Sequence, residues 1–156
     1  MGSRVEIIDP AASSTYLYST YQAITASTAT AYKWSMKTPN TATTFECKIR
    51  CAAPDGFHVE LLEASTISAA GSTQTVYNLD RNSANTCNVE FQANNTFSAD
   101  GTRLQIEYSA AQNNGMIELP GPNEYFKLKQ NERFQIRIIA ASNTSVALNV
   151  FLREPQ

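Results

Sequence analysis

The chain carries a single histidine, His58. One imidazole is too few for the Cys and His sets that hold structural or catalytic zinc. No serine motif accompanies it, so a nucleophile–base triad is not proposed either. His58 falls on the wet side of an alternating segment and reads as a surface histidine. Cysteine is scarce too: of three thiols, at least one stays unpaired. Cys47 and Cys51 sit on one alternating segment, where a strand rise of roughly 3.3 Å per residue puts their Cα atoms about 13 Å apart, too far for a disulfide. Cys87 would have to pair across sheets. Buried free thiols are the expectation, and they suit folding in a reducing cytoplasm.

Charge is sparse, at 17% of residues with a formal net charge of -2. Lys and Arg are scattered, so no broad attraction to nucleic acid or to a membrane surface follows. No window approaches the roughly 18 apolar residues of a membrane helix. The opening MGSRVEIIDP has no apolar core of a secretory signal. Phosphate-cradling G-x-x-x-x-G-K and G-x-G-x-x-G patterns are missing, as is the acid density of a calcium loop. Asp80, Glu90, Glu107 and Glu118 are the acids from which a glycosidase pair would be drawn. They are scattered and read as solvated charges. No catalytic residue, cofactor or metal is expected.

What the chain does have is alternation. Its 156 residues, 42% hydrophobic, suit one domain with a real core. The rest is heavy in Ser, Thr, Asn and Ala, a balance that fits a β-rich extracellular or virion protein better than a helical enzyme. Residues 1–15 carry Val5, Ile7 and Ile8 before Pro10, and read as an extended arm because proline stops a helix and no 3.6 period follows. Residues 16–156 read as a single β domain. Tyr16 to Tyr21 is a first strand, and 23–31 is a small polar stretch whose threonines argue against a helix.

From Tyr32 the pattern is regular. Tyr32, Trp34 and Met36 alternate with Lys33, Ser35 and Lys37. Phe45, Cys47, Ile49 and Cys51 alternate with Glu46, Lys48 and Arg50, one face dry and one wet. Pro54-Asp55-Gly56 makes a turn into Phe57, Val59 and Leu61, which predicts a hairpin. Later strands follow at Cys87–Gln92, Arg103–Tyr108, Tyr125–Lys129, Phe134–Ile138 and Val146–Leu152. Eight or so short strands with no helix predict an antiparallel two-sheet β-sandwich. A jelly roll is the first expectation. An immunoglobulin-type sandwich with Trp34 in its core is the second, although no cysteine pair brackets that tryptophan.

The stretch from Leu62 to Thr86 stands apart. It is long and polar, and a compact domain rarely keeps such a connection unless it packs on itself or touches something. Asn78, Asp80, Asn82, Ser83 and Asn85 are residues that bond their own backbone and hold tight turns. Arg81 is the one long cation among them, able to fork onto a carboxylate or onto carbonyls of a neighbouring chain. The bland reading is a surface loop buttressed by its arginine. The sharper one is a subunit contact, with Arg81 bridging to another protein segment.

These residues also carry a resemblance. Glu63 and Ala64, then Ala70 and Gly71, then Asn78, Arg81, Asn82, Ser83, Asn85 and Thr86 follow a pattern similar to one in small structural proteins of tailed bacteriophages. Asp100, Gly101, Thr102 and Leu104 match a D-G-T-x-L turn of that family. Leu128, Lys129, Gln130, Asn131, Phe134, Ile136, Arg137 and Ile138 match its closing L-K-Q-N-x-x-Y-x-I-R-I segment. The match spans roughly residues 57 to 153. The family's aromatic ending is replaced here by Phe151-Leu152-Arg153-Glu154, and residues before 45 lie outside it.

The resemblance implies a virion structural protein, in particular a capsid decoration or cement protein on the exterior of the phage head, made in the bacterial host cytoplasm. Its implied partners are the major capsid protein and further copies of itself, a homotrimer in first instance, with neither nucleic acid nor membrane among them. The expected contact residues are Val5, Ile7, Ile8, Asn78, Asp80, Arg81, Asn82 and Asn85. A carbohydrate- or receptor-binding module of a head or tail fibre is the alternative, and would need Tyr16, Tyr18, Tyr77 or Tyr125 on one exposed platform. A glycan hydrolase would need two facing acids.

Overall fold

The computed structural model describes residues 15–42, 44–109 and 115–155. The expected arm residues Val5, Ile7 and Ile8 lie outside them. In chain order the strands are β1 (Thr15–Ala26), β2 (Ala31–Lys37), β3 (Phe45–Ala53), β4 (Phe57–Glu63), β5 (Thr66–Ala69), β6 (Ser72–Thr73) and β7 (Tyr77–Asn78). There follow β8 (Glu90–Ala93), β9 (Thr96–Ala99), β10 (Thr102–Ser109), β11 (Gly115–Leu119), β12 (Phe126–Leu128), β13 (Arg133–Ala140) and β14 (Thr144–Pro155).

Two sheets carry the fold. The first runs β11-β3-β14-β1-β7, with β12 also on β3; the second runs β10-β4-β13-β2-β8-β6. Setting aside the short strands β6, β7, β8 and β12, the chain visits the two sheets alternately at every step except β4 to β10. That nested winding is a jelly roll, the first of the two expected sandwiches.

The core lies between the sheets. Cys47, Ile49 and Cys51 of β3 meet Val146, Leu148, Val150 and Leu152 of β14 on one side. Val59 and Leu61 of β4, Ile136 and Ile138 of β13, and Trp34 and Met36 of β2 close it from the other. Each such side chain contributes about 1.5–3 kcal/mol by leaving water. Cys47 and Cys51 are buried free thiols, as expected, and Cys87 is a half-buried free thiol. Burial pushes all three up, Cys87 to about 11.

Several local expectations change. β3 and β4 do not form a hairpin: β3 pairs with β14, β11 and β12, whereas β4 pairs with β13 and β10. The Pro54–Gly56 turn carries the chain from one layer to the other. Alternation alone is the same for a hairpin partner and for a strand across the core. The polar stretch after Tyr21 is the second half of β1, paired with β14 as far as Ala26 opposite Thr144. Ala26 is fully buried there.

The stretch from Leu62 to Thr86 is the main departure. It holds three short strands, β5, β6 and β7, before a strand-free run to residue 89; the strand expected at Cys87–Gln92 is β8, and β9 follows before β10. β5 and β9 form a two-stranded ribbon. Beyond it, β7 extends the first sheet at β1, and β8 extends the second sheet at β2 with β6 outside it. The excursion thus covers the β1 edge at Leu17–Ser19 and the β2 edge at Trp34–Lys37, rows of backbone groups that would otherwise invite pairing with another chain.

It also covers the outer face of the second sheet, which the alternation marks as wet. Ser35, Glu60 and Gln135 on that face are 0%, 2% and 0% exposed. Ser65 at the ribbon's base donates its amide to the Arg133 carbonyl at 3.1 Å and its hydroxyl to the Asp100 carbonyl. Gly101 sits there at φ 85°, where a Cβ would stand 2.1 Å from the Glu63 carbonyl oxygen. Only glycine adopts that backbone without strain. Gly71 makes a similar close approach, 1.9 Å from the Ala93 carbonyl oxygen for an added Cβ.

Candidate docking surface

The excursion leaves β7 along the edge of β1 and then turns outward. Leu79 donates its amide to the Leu17 carbonyl at 3.0 Å. The next residues hold themselves by short-range bonds. The Asp80 amide donates to Asn78 Oδ1 at 2.9 Å, and the Asn82 amide to Asp80 Oδ1 at 3.0 Å. The Ser83 amide donates to the Asp80 carbonyl at 3.1 Å and the Asn85 amide to Ser83 Oγ at 3.2 Å. Asn78 Nδ2 closes the loop onto the Asn85 carbonyl at 2.9 Å. Asn78, Asp80, Asn82 and Asn85 are therefore brought together, because Asx turns satisfy backbone groups that no sheet partner reaches.

Arg81 is placed differently. It is exposed, and its guanidinium makes one bond at 3.4 Å to the Asn78 carbonyl. A contact that long holds little. Arg81 is tied to the loop by that one long bond alone and is otherwise open to solvent. Within the described chain it does not bridge to another segment.

A polar recess of about 270 Å³ opens beside the loop, lined by Tyr18, Ala84, Asn85, Thr86, Asn88 and Glu154. Tyr18 is 1% exposed, and its hydroxyl donates to the Thr86 carbonyl at 3.5 Å. Glu154 is half-buried at the end of β14. Burial raises its carboxyl above the ordinary range, and hydrogen bonds from Asn88 and Tyr18 pull the other way. Nothing in the sequence pattern ties Glu154 to residues 84–88. The link runs through the β1–β14 register and the β7 pairing, both long-range.

A second, more apolar groove of about 530 Å³ lies at the opposite end of the second sheet, among the turns at 28–29, 55–56 and 141–142. Phe57, Ile139 and Ala140 line it, with His58 and Tyr108 to one side. The two rings stand 5.2 Å apart, and Tyr108 is 70% exposed. Desolvation holds the imidazole of His58 below its ordinary range; Glu60 opposes this, while Arg137 and Arg103 reinforce it.

The tyrosines expected to form a sugar platform do not share one. Tyr18 is internal and Tyr77 lies exposed on the β1 edge. Tyr125 is covered by Lys48 Nζ at 5.0 Å and the Arg153 guanidinium at 4.8 Å from its ring centre. The side chain of Tyr16 is outside the described residues. The four acids weighed for glycosidase work are likewise apart in role: Glu118 pairs with Arg50 at 2.8 Å, Glu90 lies 4.0 Å from Arg133, Glu107 accepts from Gln105 Nε2 at 3.0 Å, and Asp80 is a turn acceptor. Among the described residues there is no group of three or more His, Cys, Asp or Glu side chains able to hold a metal ion. There is also no helix long and apolar enough to cross a membrane.

No family model matches the chain, and no curated protein does. Among solved structures it is similar to a chain from broad bean stain virus, at 11% identity and a TM-score of 0.28, covering 95% of this chain and 89% of that one. A second likeness is to a chain from the Gx strain of infectious bursal disease virus, at 10% identity and a TM-score of 0.14, over 88% of this chain and 40% of that one. At these scores neither likeness bears on function. The jelly-roll assignment stands on the strand order alone.

Proposed function

We propose that this chain is a virion structural protein, and specifically a decoration or cement protein that binds and stabilises a bacteriophage head. The observation that carries the reading is the excursion. A jelly roll spends a long segment laying short strands on its own β1 and β2 edges, and midway that segment carries a self-bonded amide and hydroxyl loop at 78–85. Partly covered edges limit indiscriminate strand pairing, and a stiff polar loop suits contacts that stay wet at their rim. The resemblance to tailed-phage structural proteins runs through the same residues. Imaging of particles assembled with and without the chain tests it. Regular density for the chain on the head exterior is expected; particles that never carry it overturn the reading.

One observation favours a second reading, a carbohydrate-binding module. Tyr108 offers an exposed ring beside His58 at the rim of the apolar groove. A sugar would stack its C–H face on such a ring. Glycan binding abolished by Tyr108→Ala would support that reading, and a wild-type chain that retains no glycan on an array would end it.

A further inference from the structure

Among the described residues, the arginines are matched to acids with one exception. Arg50, Arg103, Arg133, Arg137 and Arg153 each stand within 4.0 Å of a carboxylate oxygen. Arg81 does not, and its one bond is the long contact to Asn78. Glu154 is the converse. It is a half-buried carboxylate with hydrogen-bond donors around it and, among the described residues, no cation within salt-bridge reach. The recess that holds it is open to solvent on the same side loop, between Tyr18 and residues 84–88.

The chemistry of that recess narrows its occupant. Its lining is a carboxylate with Asn and Thr groups, so an anion is disfavoured. One carboxylate is too few for a hard cation that wants six or more oxygens. A sugar would want an exposed aromatic face, but Tyr18 is 1% exposed. A guanidinium has donors only, in a planar fork that fits a carboxylate and nearby carbonyls.

We propose that Arg81 of one copy seats in the recess of a neighbouring copy, against Glu154. This rests on reading the chain as a self-assembling structural protein. The loop then supplies both halves of the joint, the exposed arginine and the wall at 84–88. Exchanged reciprocally between two copies, such a contact makes a twofold dimer; passed head to tail, it makes a ring where the rotation closes.

The test is a charge exchange, read by sedimentation of the full chain over a range of concentrations. Wild type is expected to associate. Arg81→Glu and Glu154→Arg should each weaken association by about tenfold or more, and the double variant should recover most of it. Melting curves check folding. Should Glu154→Arg fail to fold, Glu154→Gln and Arg81→Gln replace the pair, and each is expected to weaken association. A wild-type chain that stays monomeric, single variants that associate as wild type does, or a folded double variant no better than the singles would each overturn the proposal. A monomer that still decorates particles sinks this joint but not the virion reading; an oligomer that ignores particles does the reverse.

Discussion

Asp100 Oδ2 lies 2.7 Å from Nη1 of Arg137, and Oδ1 lies 3.0 Å from Nζ of Lys33. Asp100 belongs to the base of the excursion, whereas Arg137 and Lys33 are cross-strand neighbours on β13 and β2. The carboxylate therefore ties the ribbon to the sheet beneath it. Arg137 turns its other side to Glu60, which also takes Arg103 at 2.8 Å. Phe97 of β9 lies under Lys33, 5.7 Å from its ammonium to the ring centre.

The two acids of this network differ in burial, and that sets the first prediction. Glu60 is 3% exposed and Asp100 44% exposed at the side chain. Removing Glu60 takes the buried partner from Arg137, which is 15% exposed and keeps only Asp100, at a cost of about 1–3 kcal/mol. Removing the exposed Asp100 carboxylate forfeits about 1 kcal/mol or less. Glu60→Ala should thus lower the urea midpoint more than Asp100→Ala, with the slope unchanged. Equal shifts would mean that Glu60 is not enclosed as described.

Acid should loosen the ribbon before the core. Asp100 is held below its ordinary range, first by its hydrogen bond from Lys33 and then by the charges of Lys33 and Arg137, with desolvation opposing. A depressed carboxylate contributes stability that is complete above its unfolded pKa and is lost as pH falls through the folded one. Asp100→Asn should therefore show a shallower loss of stability than wild type below about pH 4. Parallel curves would remove Asp100 from the account.

Gly101 is the ribbon's return point, and its backbone at φ 85° leaves no room for a side chain. Gly101→Ala adds a positive-φ penalty and a clash with the Glu63 carbonyl, a combined cost of roughly 1–3 kcal/mol or more. Gly56, whose added Cβ would meet its nearest atom at 3.1 Å, should tolerate alanine better. Comparison of the two melting temperatures checks this, and a Gly101→Ala protein that melts with Gly56→Ala would contradict the tight turn described at Gly101.

The alternating segments at 32–37, 45–51, 57–61, 134–138 and 146–152 all became strands, because period-two burial is a local signal. Which sheet each joined was not legible: Cys51 and Phe57 look like hairpin neighbours and lie in different layers. β5 and β9, T-I-S-A and T-F-S-A, carry too little apolar character to announce themselves. Asn78, Asp80, Asn82 and Asn85 could be grouped from sequence because their bonds span a few residues. Glu154 could not, since only the long β1–β14 pairing brings it near. Glu60, Gln135 and Arg137 read as solvent-facing because alternation reports the core side and is silent about a second layer laid over the other.

Gln135 tests that second layer most directly. It sits between Ser35 and Leu62 across the second sheet and is 0% exposed. Neither Nε2 nor Oε1 has a hydrogen-bond partner among the described residues, and Asn95 Oδ1 in the ribbon is in the same condition. A buried amide without partners costs about 1–3 kcal/mol relative to one that is satisfied. An apolar side chain of similar length carries no such cost. Gln135→Met should therefore leave stability unchanged or raise it by about 1 kcal/mol, the opposite sign to most substitutions in a packed interior. If the face were solvated, as its alternation suggests, the same change would expose a methionine and move the denaturation midpoint little. Increased binding of a hydrophobic dye to Gln135→Met would then accompany it. A raised midpoint with no added dye binding is the result that places this glutamine under the ribbon.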